Sequence, residues 1–422
     1  MYNNSIIAGA VSRIKGDFGD IFEKQGLKDL CRQSGCKWRE RILPPAKTIE
    51  LLLMQVLYGN TAINHLRHIA GVNFSASAFC QARARVPLEV LQKILTKLGK
   101  KFLKNTDDRW LGHRTFLIDG SSFSTPDTET LGKHFNYPSG QKVGCGFPVG
   151  HLLTLFHAKT GMIQSLVPAQ CHTHDMSQVS QLHPLLNKGD VLVGDRAFCS
   201  FAHVSLLLKH QLHAVLRMHQ RIIASNLRCI KRITKNDKIV ELIKPKYPGS
   251  WMSRDVFDLL PHTIIVRWIS YRINIPGFRT KEVSILTTLL DNVHYPASEI
   301  QELYRSRWEV ETNFNHLKTT MGMDTLRCKT VAGILKEIYA FAIVYNLVRI
   351  VMYQAAKNQL VSINRISFID ALRWLCHCTP SQTLHLIVIP IREDRHFPRA
   401  IKRRPKQYDR LNKPRSAYKL AA

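Results

Sequence analysis

Acidic residues are in short supply. The chain of 422 residues carries 31 Asp and Glu against 60 Lys and Arg, a formal surplus of 29 positive charges. A surplus of that size needs a polyanion, with nucleic acid the first candidate and an anionic membrane surface the second. Long apolar runs are missing. No stretch of about 18 uncharged apolar residues occurs, so no membrane-spanning helix is expected. The opening residues, MYNNSIIAGAVSRIKGDFGD, lack the basic-then-apolar order of a secretory signal. The ten cysteines are scattered and form no disulfide framework, so a reducing cytosol is the expected setting. Cys171-His172-Thr173-His174 and Cys376-His377-Cys378 lack a second ligand pair at zinc spacing. Internal repeats and long low-complexity tracts are absent too. The apolar fraction of 45% is that of a folded protein, and the length suggests two to three domains.

Residues 1–110 read as a helical N-terminal domain expected to contact DNA. Apolar residues recur at three- and four-residue spacing through Ile49–Tyr58 and Leu88–Leu103. Ser75 is placed to cap a short helix before Pro87. The pattern changes at Arg114. RTFLIDG (114–120) reads as a buried strand, and 146–156 and 161–167 as a hairpin about the turn AKTG. Met176–Leu186 reads as a helix, DVLVGD (190–195) as a strand, 198–210 as a helix and HAVLRM (213–218) as a strand. Residues 111–218 therefore predict the first part of a mixed α/β sheet covered by helices. A β-rich insertion is expected over 219–292. A second part of the α/β domain follows at 293–358, with one helix over Pro296–Met321 and another over Ala332–Lys357. A basic region, 359–422, ends the chain.

Two aspartates close two of the predicted strands: Asp119 in FLIDGSS and Asp195 in VLVGDRAF. Strand ends of this kind are where ligand sites form in α/β sheets. A lone Asp there is more often a cap or a turn residue. The segment YRSRWEVETNFNHLKTTMGM (304–323) carries a sharper pattern. At about 100° per residue, Tyr304, Arg307, Glu311 and Lys318 fall within roughly 60° of arc. That sector borders the apolar stripe of Val310, Phe314 and Leu317, where a solvated face would lie opposite it. An ordinary Arg–Glu pair on an exposed face is the plain alternative. Three carboxylates facing one point suit two Mg²⁺ ions, which hard oxygen ligands bind while leaving room for water and phosphate. Tyr304, Arg307 and Lys318 are then placed to hold flanking phosphates.

Asp119, Asp195 and Glu311 resemble the DDE triad of transposases with a ribonuclease-H-like fold. The spacing Tyr304-x2-Arg307-x3-Glu311-x6-Lys318 is similar to the Y-(2)-R-(3)-E-(6)-K signature of the insertion-sequence-4 family of bacterial transposases. The likeness spans about residues 75–330. It implies an enzyme that uses Mg²⁺, or Mn²⁺ in its place, to cleave the ends of an insertion sequence. The freed 3′-OH strands then attack target DNA. It also implies a homodimer on double-stranded DNA that holds the terminal inverted repeats, working on the bacterial nucleoid in the cytoplasm with no membrane partner. Relatives distort the excised end and flip a base, and Trp308 after the signature arginine matches a wedge or stacking platform. Relatives also use a Trp on the strand leading to this helix. Here 284–288 has none, and Trp268 is the nearest.

Other acids near the triad in sequence, Asp127, Glu129 and Asp175, read as solvated loop acids ahead of supporting groups. Arg83 and Arg85 read equally as DNA contacts or as a solvated helix face. An inactive DNA-binding relative and a nuclease without strand transfer are the rival functions. The charge surplus is concentrated. Residues 209–247 hold ten Lys and Arg against two acids, and 391–422 hold 11 against three. Basic flanks gripping DNA around an acidic centre are the expectation.

Overall fold

A computed structural model of the chain describes residues 19–104, 106, 108–139, 144–219, 227–273, 282–377 and 384–390. The basic tail 391–422 lies outside the described residues. The N-terminal part is helical, with α1 Lys24–Gln33, α2 Pro45–Leu57, α3 Ile63–Ala70, α4 Ala76–Arg85 and α5 Leu88–Lys104. Ser75 caps α4 as the sequence predicts, its hydroxyl accepting from the Ala78 amide at 3.1 Å. Leu88 opens α5 directly after Pro87, which cannot donate a hydrogen bond.

Nine strands form one mixed sheet: β1 Thr115–Ser124, β2 Val149–His157, β3 Ile163–Gln170, β4 Val191–Gly194, β5 His213–Arg217, β6 Leu227–Thr234, β7 Asp237–Ile243, β8 Thr263–Arg272 and β9 Glu282–Thr287. Their order across the sheet is β3-β2-β1-β4-β5-β9-β8-β7-β6. The first five are the strands of the part expected to be ribonuclease-H-like. There β1, β4 and β5 run parallel, and β2 and β3 return antiparallel from β1. The strands of 227–287 are not a separate layer. They extend the same sheet antiparallel from β5.

Helices cover both faces. On the back, α7 Phe201–Lys209 packs over Phe116, Ile118, Leu192 and Leu216. A short helix, α6 Glu129–Phe135, lies between β1 and β2 in the chain. On the front, α8 Ala297–Arg305, α9 Glu309–Asn315 and α10 Val331–Asn358 share one core with Leu117, Phe123, Val193 and the N-terminal helices. The last helix is α11 Phe368–His377.

By length and composition α10 is apolar enough to cross a membrane, yet 78% of its most apolar window is buried inside the protein. Its polar residues explain that position. The Asn346 side chain accepts from the Ile163 amide at 2.8 Å and donates to the Ile163 carbonyl at 2.7 Å, pairing the β3 edge as a strand would. Tyr345 donates to the Gly161 carbonyl at 2.9 Å and Arg349 Nε to that of Thr160 at 2.6 Å. These bonds satisfy backbone groups that burial would otherwise leave unpaired.

Two predicted helices are broken. Met176–Leu186 forms one α-turn, Asp175–Gln178, followed by tight turns at Val179–Gln181 and His183–Leu185. Pro184 lacks an amide hydrogen, and its ring clashes with the carbonyl four residues back, so an α-helix cannot run through it. The segment 296–321 is α8, a tight 3₁₀ turn at Ser306–Trp308, α9, and a wide π turn at His316–Thr320. Such departures from α geometry recur at functional sites.

Candidate active site

The site lies where the parallel pairing of β1 with β4 ends: Asp119 sits midway along β1, which runs on to Ser124 beside β2, and Asp195 directly follows β4. The parallel register pairs Ile118 with Gly194, so Asp119 and Asp195 leave adjacent strands side by side. Gly194 keeps the packing there close. A Cβ would stand 3.1 Å from each of Ile118, Leu216 and Phe198. Asp195 caps the turn that follows, its Oδ1 accepting from the Ala197 amide at 2.8 Å. Asp119 Oδ1 accepts from the Gly120 amide at 2.8 Å. Burial pushes the Asp119 carboxyl up to about 6. The Gly120 hydrogen bond opposes that shift, the charge of Asp195 adds to it, Arg307 opposes it and Asp175 adds to it.

Arg307 stands between this pair and the helix. Its Nη1 is 3.8 Å from Asp119 Oδ2, and its Nη2 is 3.8 Å from Glu311 Oε1. The Arg307 side chain is 12% exposed, and its buried Nε has no hydrogen-bond partner among the described residues. The Glu311 side chain is 59% exposed, which leaves it room to turn. No three His, Cys, Asp or Glu side chains among the described residues are gathered closely enough to hold a metal ion. The guanidinium supplies positive charge between two of the carboxylates instead.

The remaining signature residues divide into two kinds. Tyr304 is buried, and burial raises its hydroxyl pKa. Arg307 and Arg217 at the end of β5 act in the opposite direction. It therefore backs Arg307 and does not itself face solvent. Lys318, on the π turn, donates to Ser121 Oγ at 3.1 Å and pairs with Asp324 at 3.2 Å. It braces the end of β1 and lies in the same front face as Asp119. Trp308 is 48% exposed, with the Arg307 guanidinium 4.9 Å from its ring centre. Trp268 packs on the back face, with Lys238 Nζ 5.1 Å from its ring centre, away from the front-face helices that carry Arg307 and Glu311.

Sequence reasoning missed Ser121, Asp324 and Arg217. It also read Asp175 as a solvated loop acid. In the fold Asp175 is one-fifth exposed and takes a hydrogen bond from His151 Nε2. The signal is the glycine after Asp119. A Cβ on Gly120 would come within 2.8 Å of Asp175 Cγ and Oδ2, so only glycine leaves room for that carboxylate. The other histidines of that segment hold backbone. His172 bonds to the Tyr137 carbonyl at 3.0 Å, and His174 Nδ1 accepts from the Met176 amide at 3.3 Å.

The transposase DDE domain family matches residues 110–347. The transposase InsG of insertion sequence element IS4 from Escherichia coli (strain K12) is 23% identical over 361 residues, 79% of this chain and 77% of the relative. A probable transposase of insertion sequence element IS5377 from Geobacillus stearothermophilus is 24% identical over 188 residues, 44% of this chain and 45% of the relative. Among solved structures, a piggyBac transposase synaptic complex with hairpin DNA aligns over 89% of this chain and 80% of that one. The TM-score is 0.44, at 11% identity.

Proposed function

Because this chain belongs to the DDE transposases of the insertion-sequence-4 family, we propose that it binds the ends of its own insertion sequence, cleaves them and joins the freed 3′-OH strands to target DNA. The observation that supports this reading is Arg307, which stands 3.8 Å from both Asp119 and Glu311, with Asp195 following the strand paired beside Asp119. A positive side chain held loosely between two carboxylates marks a place where positive charge is needed.

The donor set fits hard divalent cations, Mg²⁺ with Mn²⁺ as substitute, because all three side chains offer carboxylate oxygens. Asp119, Asp195 and Glu311 would hold two such ions. When bound, they supply Lewis acidity to the attacking and leaving oxygens of an in-line displacement at phosphorus. The other roles belong to this chain's own side chains. Arg307, backed by Tyr304, pairs with a phosphate oxygen beside the reacting one. Lys318 keeps the end of β1 in place and presents its ammonium to the same backbone. Trp308 offers an exposed ring to bases pushed out of the stack. The N-terminal helices and the basic strand β6 grip the duplex, and two copies hold two ends. On this reading the chain works on the nucleoid in a bacterial cytoplasm.

The test is a duplex carrying one end of the element, incubated with the protein, Mg²⁺ and target DNA. Cleavage at the end and joining of its 3′ strand are expected, with both lost in Glu311→Ala. Joining that survives Glu311→Ala overturns the assignment. Cleavage without joining makes the chain a nuclease.

A further inference from the structure

The back of the sheet holds a polar pair that the cleavage chemistry does not use. His151 lies on β2 opposite Ser122, and Asp175 opens the α-turn Asp175–Gln178. The two side chains are 18% and 20% exposed, in contact through His151 Nε2. The Asp175 carboxylate lies flat against Gly120, in the space a side chain would fill. The amide of Gly120 in turn donates to the Asp119 carboxylate on the front. One peptide is therefore held from behind by Asp175 and bonded in front to Asp119. Asp175–Gln178 also packs beside the turn Arg196–Phe198, which Asp195 caps, and Met176 and Phe198 share the back core. One short turn thus supports the backbone beside both aspartates.

We propose that Asp175, oriented by His151, is a positioning residue. It fixes Gly120 so that Asp119 meets Asp195 at the spacing a divalent cation needs, and it adds negative charge behind them that draws the cation in. The inference rests on the proposed cleavage function. The Asp175 carboxylate bonds to His151 and packs against the glycine after the first aspartate, a place its neutral amide could fill equally well without the charge. Groups behind metal-binding carboxylates act through orientation, and removing one typically weakens metal affinity about 10- to 100-fold.

The test uses the full chain and two metals. Asp175→Asn keeps the shape and removes the charge. It should leave thermal melting and end binding without divalent cation unchanged. The Mg²⁺ concentration for half-maximal end nicking should rise at least about tenfold, and Mn²⁺ binding read by electron paramagnetic resonance should weaken equally. His151→Leu should behave the same way. His151→Gln, whose amide can donate from the place of Nε2, should recover most of the loss. Should Asp175→Asn fail to fold, the His151 pair carries the test. Folded variants that titrate with Mg²⁺ and Mn²⁺ like the unaltered protein overturn the inference. If the unaltered protein neither binds Mn²⁺ nor nicks its ends, the cleavage function itself fails.

Discussion

Two arginines, one in the sheet and one on the helical segment that covers it, meet carboxylates in opposite ways. Arg267 on β8 is closed. Its Nε and Nη2 reach Asp237 at 2.8 and 2.5 Å, and its Nη1 reaches the Tyr295 carbonyl at 2.6 Å. Both partners are buried, at 1% and 7% side-chain exposure. Arg307 is open. It is shared between Asp119 and Glu311 at 3.8 Å each, beyond hydrogen-bond reach, with its Nε unpaired. A closed bidentate pair has spent its donors and locks β7 to β8. An open one balances charge without hydrogen-bonding either carboxylate, so a cation can take over the carboxylates and a phosphate the guanidinium. The difference separates an ion pair that holds the fold from one that prepares for exchange.

The sharpest way to break that comparison is to remove one carboxylate from each pair. Glu311→Gln should lower end cleavage by at least about a thousandfold, since groups acting as one catalytic unit are lost together. Its melting temperature should not fall, because the lost contact is long and half in water. Asp237→Asn should do the reverse. It leaves Arg267 buried without its charge partner, at a cost of about 3–5 kcal/mol in a denaturant titration. Cleavage per folded molecule should then be unchanged. A Glu311 variant that unfolds, or a stable Asp237 variant, would erase the distinction.

How far these pairs could be read from sequence differs for the same physical reason. Local patterns were legible. The runs that become β1 and β4, the hairpin at 158–161 and the cap at Ser75 all depend on near neighbours, although β1 continues past Asp119 to Ser124. The row from Arg307 to Glu311 was legible although the helix is not uniform. Arg307 and Trp308 are the last two residues of the tight turn and lead directly into the α-helix that carries Glu311, so the arginine still meets Glu311. Contacts between distant segments were not legible. Nothing in GSS announces that Ser121 receives Lys318, or that Gly120 leaves its space to Asp175. Nor does the β-rich stretch reveal that it would continue the main sheet past β5. The break at Pro184 was written in the sequence and overruled by an apolar rhythm.

Protons offer a gentler probe of the open pair. Burial raises Asp119 to about 6, from an ordinary value of 3.8. Between those values the folded chain holds more protons than the unfolded one, so stability must fall as pH rises through that window. The loss is bounded by about 3 kcal/mol, complete just above pH 6, and reduced further by the partial exposure of the carboxyl. Metal-free denaturant titrations at pH 4 to 7 should show this slope, and Asp119→Asn should remove it. Saturating Mg²⁺ should flatten or reverse it, because cation binding favours the ionised carboxyl. A slope of the opposite sign would mean that Arg307 outweighs burial and that the pair is closed after all.

The smallest expected effect decides whether distance or burial makes an arginine pair count. Arg305 and Glu302, on the outside of α8, meet at 3.0 Å, closer than Arg307 meets either of its partners. Their side chains are 61% and 70% exposed, so water screens the charges and both chains lose rotamer freedom by pairing. If contact distance ruled, Glu302→Gln would cost more than loosening Arg307. If burial rules, it should change stability by less than about 0.5 kcal/mol and leave end cleavage where it was. Denaturant midpoints and nicking rates measured beside Glu311→Gln make the decision. A Glu302→Gln variant that loses a kilocalorie or slows cleavage would show that the outer face of α8 belongs to the site. The open pair would then be one link in a longer chain of charges.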